Sequence, residues 1–191
     1  MQEVLIFLVD TFFSLLFIVF LLRLLLQWAR ADFRNPLTQA VVKLSNWLIM
    51  PLRRALPPIG RVDTASVVAL LVISLAKVGA LALVRGLGVP GPLPWLLLAF
   101  IEIATSILWL YFIVIFVYGF LGMISPGTYS PALSILQSLC EPVLRPIRRT
   151  IPAIAGLDLS ALWALISIQV LLILLRQLQS VLNSSLFSTV S

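Results

Sequence analysis

Long apolar runs dominate the chain, and four of them are long enough to cross a lipid bilayer. A helix needs about 20 apolar residues to span roughly 30 Å of hydrocarbon. The runs extend over residues 4–28, 64–84, 95–121 and 159–179. Because hydrocarbon offers no partners to unpaired backbone groups, each run is predicted to be a transmembrane helix.

Two shorter segments follow the helical period but mix polar with apolar positions. The first starts at Asn35-Pro36 and places apolar residues at positions 37, 41, 44, 48 and 52, and the second starts at Ser130-Pro131. A cap residue followed by proline is typical of a helix start. Each segment is predicted to be an amphipathic helix along the cytoplasmic interface. Pro51 and Pro146 are predicted to end or kink these helices.

The two halves of the chain repeat one another without a gap. NPLTQAVVKLSNWLIMPLRRALPPIGRVD from Asn35 aligns with SPALSILQSLCEPVLRPIRRTIPAIAGLD from Ser130, an offset of 130 − 35 = 95. The same offset carries the first span onto the third and the second onto the fourth. Identical residues recur at the rarer prolines, arginines and aspartate: Pro51/Pro146, Arg53/Arg148, Arg54/Arg149, Pro57/Pro152 and Asp63/Asp158.

These patterns predict an all-α membrane protein of four transmembrane helices in two tandem parallel repeats. Each repeat contains a cytoplasmic amphipathic helix and a Pro/Arg-rich loop. The predicted division is a first repeat at 1–85, an external Gly/Pro linker at 86–94 and a second repeat at 95–191. Parallel repeats are expected to be related by a pseudo-two-fold axis along the membrane normal.

Composition and charge strengthen the membrane interpretation and orient it. Hydrophobic residues make up 61% and charged residues 10% of the 191 residues, against about 25% charged in a soluble domain. Most of the basic residues lie in the two long loops, so the positive-inside rule places both loops in the cytoplasm and both termini outside. We therefore expect a multi-pass membrane protein with both long loops on the cytoplasmic side.

The basic residues of the two long loops are the candidate contacts to lipid or a partner: Lys43, Arg53, Arg54, Arg145, Arg148 and Arg149. One interpretation is that they only set topology and touch lipid phosphate. The others are docking of a specific partner or acidic headgroup, and a role toward a substrate ion. Asp63 and Asp158 directly precede the second span of each repeat. We expect each carboxylate to cap its helix, with a salt bridge to the arginine pair of its own loop as the alternative.

Four ionisable residues inside the predicted spans are functional candidates, because charges are costly there. Each half has an acid in its first span and a base in its second. Matching depths predict two pairs, Asp10 with Lys77 and Glu102 with Arg176. Either each pair is a structural salt bridge, or the charges line an ion or proton pathway.

Catalytic and cofactor chemistry finds little support in the residues available. The chain has no histidine and one cysteine, Cys140, so a multi-cysteine metal site and an imidazole base are excluded. Neither a nucleophile motif nor a Gly-rich phosphate loop is found. We expect no enzymatic activity, no bound cofactor or metal, and no contact with nucleic acid.

The repeated PLRRALPPIGRVD and PIRRTIPAIAGLD, each between two apolar spans, resemble the YggT family, also called YlmG. The motif positions are Pro51, Arg53, Arg54, Pro57, Gly60 and Asp63, with Pro146, Arg148, Arg149, Pro152 and Asp158 in the second copy. The second copy has Ala155 at the position of Gly60. The resemblance implies a bacterial inner-membrane protein connected with osmotic tolerance, potassium uptake, division or, in plastids, maturation of a b-type cytochrome.

Three functional hypotheses follow. The chain is a non-enzymatic accessory or scaffold protein that binds anionic lipid or a membrane partner through its duplicated basic loops, in osmotic or ion homeostasis. Alternatively it is a small ion channel or transport component for potassium or protons, which would need a homo-oligomer because four spans enclose little volume. The last alternative is an assembly factor for a membrane complex.

Overall fold

The computed structural model describes residues 1–58, 63–86, 91–124, 130–150 and 160–187. Within these ranges the chain forms helices and short connections, and no strand occurs. The helices are α1 (Gln2–Trp28), α2 (Pro36–Ala55), α3 (Thr64–Val84), α4 (Pro92–Ile124), α5 (Pro131–Thr150) and α6 (Ser160–Phe187).

Four of these helices, α1, α3, α4 and α6, are long and apolar enough to cross a membrane. They coincide with the four predicted spans, which confirms that part of the prediction. α4 begins three residues earlier than predicted and α6 ends eight residues later, at Phe187 rather than near 179. The apolar outer faces of these helices are exposed, which suits a lipid environment.

Both short helices begin with the predicted caps. Leu37 N donates to Asn35 Oδ1 at 2.9 Å, and Leu133 N donates to Ser130 Oγ at 3.1 Å. Of the two predicted effects of these prolines, an end to the helix is wrong, because α2 continues through Pro51 to Ala55 and α5 continues through Pro146 to Thr150. A proline one turn from a helix end removes a single donor, and the remaining turn still closes, with Leu56 N donating to Leu52 O at 2.8 Å.

The connection from α1 to α2 is a tight C-terminal cap. Arg30 takes a left-handed conformation with φ of 53°. Ala31 N donates to Leu26 O at 2.9 Å and Arg30 N donates to Gln27 O at 3.2 Å, the two bonds of a Schellman motif. This motif turns the chain sharply and leads it to Asn35, the N-cap residue of α2.

The two halves have the same internal packing. In the first half α1 packs against α3, and in the second half α4 packs against α6. The short helices α2 and α5 each pack against both spans of their own half. α3 packs against α4 and so joins the halves. A two-fold axis would also bring α6 against α1, but the described parts of those helices do not touch. The predicted pseudo-two-fold axis is therefore not observed.

The contact between α3 and α4 is polar as well as apolar. Ser74 Oγ donates to Ala99 O at 2.9 Å, and Trp95 Nε1 donates to Leu75 O at 3.0 Å. The Trp95 ring lies against Gly79, where an added Cβ would come within 3.0 Å of the indole. The absence of a side chain at Gly79 thus lets the two helices approach closely.

Candidate functional site

The Asp63 carboxylate is the centre of a polar cluster at the start of α3. Its side chain is completely buried, and Arg53 binds it through two donors, Nη2 at 2.7 Å and Nε at 3.3 Å. Ser66 Oγ, one turn into α3, donates to the same carboxylate at 2.7 Å. Asp63 makes no side-chain hydrogen bond to the backbone of α3, so capping is wrong for Asp63, and the alternative, a salt bridge within its own loop, is found with Arg53.

Arg23 of α1 completes this cluster, and sequence reasoning missed it. Its side chain is 95% buried, and Nη1 donates at 2.7 Å to both Ser45 Oγ and Asn46 Oδ1 of α2. Arg23 Nε lies 4.0 Å from the Asp63 carboxylate. We call Arg23, Ser45, Asn46, Arg53, Asp63 and Ser66 the Asp63 cluster. The sequence does contain a signal for Arg23, because it is a charged residue inside the apolar stretch of α1. It was not among the four intramembrane candidates.

The electrostatics of the Asp63 cluster favour the ionised carboxylate. Burial alone opposes the charge, but hydrogen bonds from Arg53 and Ser66 and the positive charges of Arg53 and Arg23 outweigh it. The pKa of Asp63 therefore lies below its ordinary value. Two guanidinium groups around one buried carboxylate tie α1, α2 and α3 into a single unit.

The second repeat carries different residue types at two positions of this cluster. The positions equivalent to Arg23 and Ser66 are Tyr118 and Ala161, each 95 residues later. Arg148, the equivalent of Arg53, lies 3.4 Å from the exposed Glu141. Gly60, Pro152 and Asp158 lie outside the described residues. The arginine–aspartate pair of the motif is observed in the first loop, between Arg53 and Asp63.

A second charged cluster lies inside the predicted spans. Lys77 of α3 is buried, and its Nζ lies 3.0 Å from Asp10 Oδ1 of α1 and in hydrogen-bond contact with Glu102 Oε1 of α4. The ammonium also donates to Ser14 Oγ at 3.2 Å. We call Asp10, Ser14, Lys77 and Glu102 the Lys77 cluster. The Asp10–Lys77 contact is the one that matching depths predict.

The predicted pairing of Glu102 with Arg176 is wrong. Glu102 lies where α4 meets α3, so its carboxylate reaches Lys77 and not α6. Arg176 is exposed on α6, and no ion pair joins it to a carboxylate within the described ranges. Lys77 thus forms ion pairs with two carboxylates, those of Asp10 and Glu102. Because Glu102 belongs to the second half, the cluster links the two halves and does not stabilise each hairpin separately.

The remaining candidate arginines and lysine of the loops lie at the surface. Lys43 and Arg54 of α2 are exposed, as are Arg145 and Arg149 of α5. The two adjacent arginines of the first repeat therefore differ in their contacts. Arg53 binds the buried carboxylate of Asp63, whereas Arg54 is exposed and faces outward.

The helix α2 has an inward face and a broad outward face. The inward face carries Thr38, Ser45 and Ile49. The outward face carries the exposed apolar residues Leu37, Leu44 and Trp47. It also carries the exposed basic residues Lys43 and Arg54, which lie beside Trp47 around the helix. The predicted apolar stripe is thus split, since Leu37 and Leu44 face outward while positions 41, 48 and 52 pack against the core.

No reactive or metal-binding group is found in the part of the chain that the structure describes. Cys140 is buried on α5, at the position equivalent to Ser45, and its burial raises the thiol pKa to about 12. This pKa leaves almost no thiolate at neutral pH. The described residues contain no group of three or more potential metal ligands.

Comparison with known proteins agrees with the repeated architecture. The profile of the CCB3/YggT family matches residues 2–84 and matches again at 97–179. The chain belongs to the CCB3/YggT family. The two matches are separated by 97 − 2 = 95 residues, which equals the offset of the internal repeat. The resemblance inferred from the two Pro/Arg motifs is thereby confirmed.

Several relatives cover most of the chain. It is 36% identical over 167 residues to an uncharacterised protein of Pseudomonas aeruginosa, covering 87% of this chain and 85% of the relative. It is 40% identical over 164 residues to an uncharacterised Vibrio alginolyticus protein, covering 85% and 88%. It is 38% identical over 157 residues to the uncharacterised protein YggT of Escherichia coli K12, covering 81% and 79%. No solved structure matches the chain.

Proposed function

We propose that this YggT-family protein is a non-enzymatic accessory or scaffold protein of the bacterial inner membrane, which holds anionic lipid or a membrane partner at its cytoplasmic face. The single observation that carries the proposal is the outward face of α2, which combines exposed apolar and basic side chains. A helix that packs one face on the protein and turns apolar and basic residues outward suits the boundary between hydrocarbon and headgroups. Each basic residue near anionic lipid contributes about 1 kcal/mol of attraction.

Contacts at opposite ends of the molecule support the proposed topology. Lys77 contacts α1 and α4 in the first half of each helix, whereas Asn35 Nδ2 donates to Pro131 O at 2.7 Å where α2 and α5 begin, beyond the C-terminal ends of α1 and α4. Both short helices therefore start at the end of the bundle opposite the Lys77 cluster. Because both short helices carry exposed basic residues, we place that end of the bundle in the cytoplasm and both termini in the periplasm. Cysteines beside Arg54 and Arg149 should resist labelling from the periplasmic side.

The lipid-binding surface can be tested by spin labels on α2. A label at Leu44, which is 61% exposed, should be accessible to oxygen dissolved in the bilayer. A label at the neighbouring Lys43 should be accessible to a water-soluble nickel reagent. Position 139 is the matched control, because Leu139 is the equivalent of Leu44 but is buried. Equal nickel accessibility at 43 and 44 would mean that α2 lies in water, which would contradict the proposal.

Charge reversal tests the basic surface itself. Lys43→Glu with Arg54→Glu should reduce the anionic lipid that copurifies with the protein and leave insertion and folding intact. Arg53 stays unchanged in this variant, since reversing it would break the Asp63 cluster rather than test lipid binding. Unaltered retention of phosphatidylglycerol in the double variant would count against the proposed surface.

The Lys77 cluster favours a second candidate function, an ion-conducting or ion-regulating component. A buried ammonium between two carboxylates, within predicted spans of three helices, is an arrangement that functional intramembrane charges share. Protein reconstituted in liposomes should then show a potassium or proton flux that Lys77→Met or Glu102→Gln abolishes. Absence of flux from folded protein would reject this candidate and leave the accessory role in place.

A further inference from the structure

A cavity of about 400 Å³ lies between α5 and the end of α1. One stripe of α5 lines it with Ser134, Gln137, Ser138, Glu141 and Arg145, and Ala29 lies on the α1 side. These α5 residues follow the i, i+3, i+4, i+7 spacing of a single helix face. The polar side chains of this wall lie beside the apolar Pro142 and Ala29, and the volume is within the size range of small-ligand sites.

The cavity wall carries one negative and one positive side chain. Glu141 and Arg145 are four residues apart, so they are neighbours on the helix surface, about 5–6 Å apart at their Cβ atoms. Arg148 is the basic residue that contacts Glu141, across a loose 3.4 Å. A ligand that matches this wall carries an anionic and a cationic group a few ångströms apart.

The cavity lies at the depth of lipid headgroups. Ala29 follows Trp28, the last residue of α1, and Trp28 is a half-exposed aromatic at the end of a predicted span. Tryptophan at such a position marks the membrane–water boundary. A zwitterionic phospholipid presents both charged groups at this depth, whereas a soluble zwitterion is not concentrated there.

The first repeat has no equivalent site. The residues 95 positions before Gln137, Ser138, Glu141 and Arg145 are Val42, Lys43, Asn46 and Met50. Neither a carboxylate nor a guanidinium stands at the two charged positions. The α2 face instead combines apolar and basic residues, so the two repeats present different chemistry to the same membrane surface.

We propose that this cavity binds the headgroup of a zwitterionic aminophospholipid such as phosphatidylethanolamine. The inference rests on the interfacial placement in the proposed function. The Arg145 guanidinium binds the phosphate, for which its planar fork is suited. The Glu141 carboxylate accepts from the primary ammonium, which has three N–H donors, and Ser134 and Gln137 offer further oxygen acceptors.

Retention of lipid by the whole purified protein, measured by native mass spectrometry, tests the inference. The protein is prepared with equal amounts of phosphatidylethanolamine, phosphatidylcholine and phosphatidylglycerol. Phosphatidylethanolamine should be retained about fivefold more than phosphatidylcholine, whose quaternary ammonium has no N–H to donate. Soluble phosphoethanolamine at the same concentration should not displace it, and displacement would show that a soluble ligand occupies the cavity and would overturn the lipid assignment.

Two variants assign the charged groups. Glu141→Gln should bring phosphatidylethanolamine down to the level of phosphatidylcholine, while Arg145→Gln should reduce both. Lys43→Gln is the matched control on α2, at the position equivalent to Ser138. It should lower phosphatidylglycerol and leave the ratio of the two zwitterionic lipids unchanged.

The outcomes separate this inference from the proposed function. Equal retention of the two zwitterionic lipids, or a preference that Glu141→Gln leaves intact, would overturn the aminophospholipid site. If Lys43→Gln left the retention of phosphatidylglycerol unchanged while the preference for phosphatidylethanolamine persisted, the basic surface of α2 would be rejected and the cavity site would be supported.

Discussion

Arg53 and Asp63 form an ion pair in which Nη2 lies 2.7 Å from a carboxylate oxygen that is completely buried. The arginine belongs to the last turn of α2, and the aspartate directly precedes α3. Since Arg23 of α1 stands 4.0 Å from the same carboxylate, this pair fastens the short helix to both spans of its repeat.

The first prediction separates the two adjacent arginines. Arg53→Gln should lower the free energy of unfolding by about 1–3 kcal/mol, because it removes the principal partner of a buried carboxylate while Arg23 keeps part of the compensation. Arg54→Gln, one residue away and exposed, should change it by no more than about 0.5 kcal/mol. Thermal unfolding in detergent measures both, and equal effects would contradict the assigned roles.

The second prediction concerns pH. The pKa of Asp63 is lowered in the folded protein, so its ion pair stabilises the fold above the unfolded-state pKa of about 3.9. This stabilisation is lost as the pH falls through the folded-state pKa. Asp63→Asn should therefore unfold more easily than wild type at pH 7, and the difference should shrink toward strong acid.

Glu3→Gln, at an exposed acidic position of α1, controls for general effects of acid. The unfolding midpoint of each protein is measured at steps between neutral and acidic pH. A difference between wild type and Asp63→Asn that stays constant down to strong acid would mean that the carboxylate charge is not what stabilises the fold.

The third prediction tests how the Lys77 cluster joins the halves. Lys77→Met should destabilise the fold by about 3 kcal/mol, because it leaves two carboxylates without their shared ammonium. Adding Asp10→Asn and Glu102→Gln to that variant should recover much of the loss, since no uncompensated charge then remains.

Arg176→Met is the matched control, a basic residue of another span that is exposed. Its unfolding midpoint should equal that of wild type within experimental scatter. If Arg176→Met destabilised the protein as much as Lys77→Met, burial between two carboxylates would not be the source of the effect.

The fourth prediction addresses the close approach of α3 and α4. Gly79→Ala should cost about 1–3 kcal/mol, because the new Cβ would meet the Trp95 ring at 3.0 Å and the ring is held by its bond to Leu75 O. Gly122→Ala in α4 meets nothing within 4 Å. It should be neutral or stabilise by up to about 1 kcal/mol, the ordinary helical gain over glycine. Thermal unfolding of the two variants in the same detergent compares them, and equal midpoints would contradict the close contact.

Much of the candidate site follows from residue type and depth. The clustering of Arg53 with Asp63, and of Asp10 with Lys77, could be foreseen because charges in apolar surroundings need partners. The partner of Glu102 could not, since matching depth points to Arg176 and only the packing of α3 on α4 brings Lys77 within reach. Arg23 was missed for a similar reason: its partners Ser45 and Asn46 are neutral and lie on another helix.

By itself, the sequence determined the four spans, the duplication at an offset of 95, the caps at Asn35 and Ser130, and membership of the family. These features depend on local hydropathy, on backbone capping and on residue identity, all of which are written along the chain. Only the tertiary structure decided which face of α2 points outward, which carboxylates share Lys77, and that α3 and α4 join the halves. Each of those depends on how one helix rotates and approaches another, and a repeat with different side chains at its contacts need not pack as its copy does.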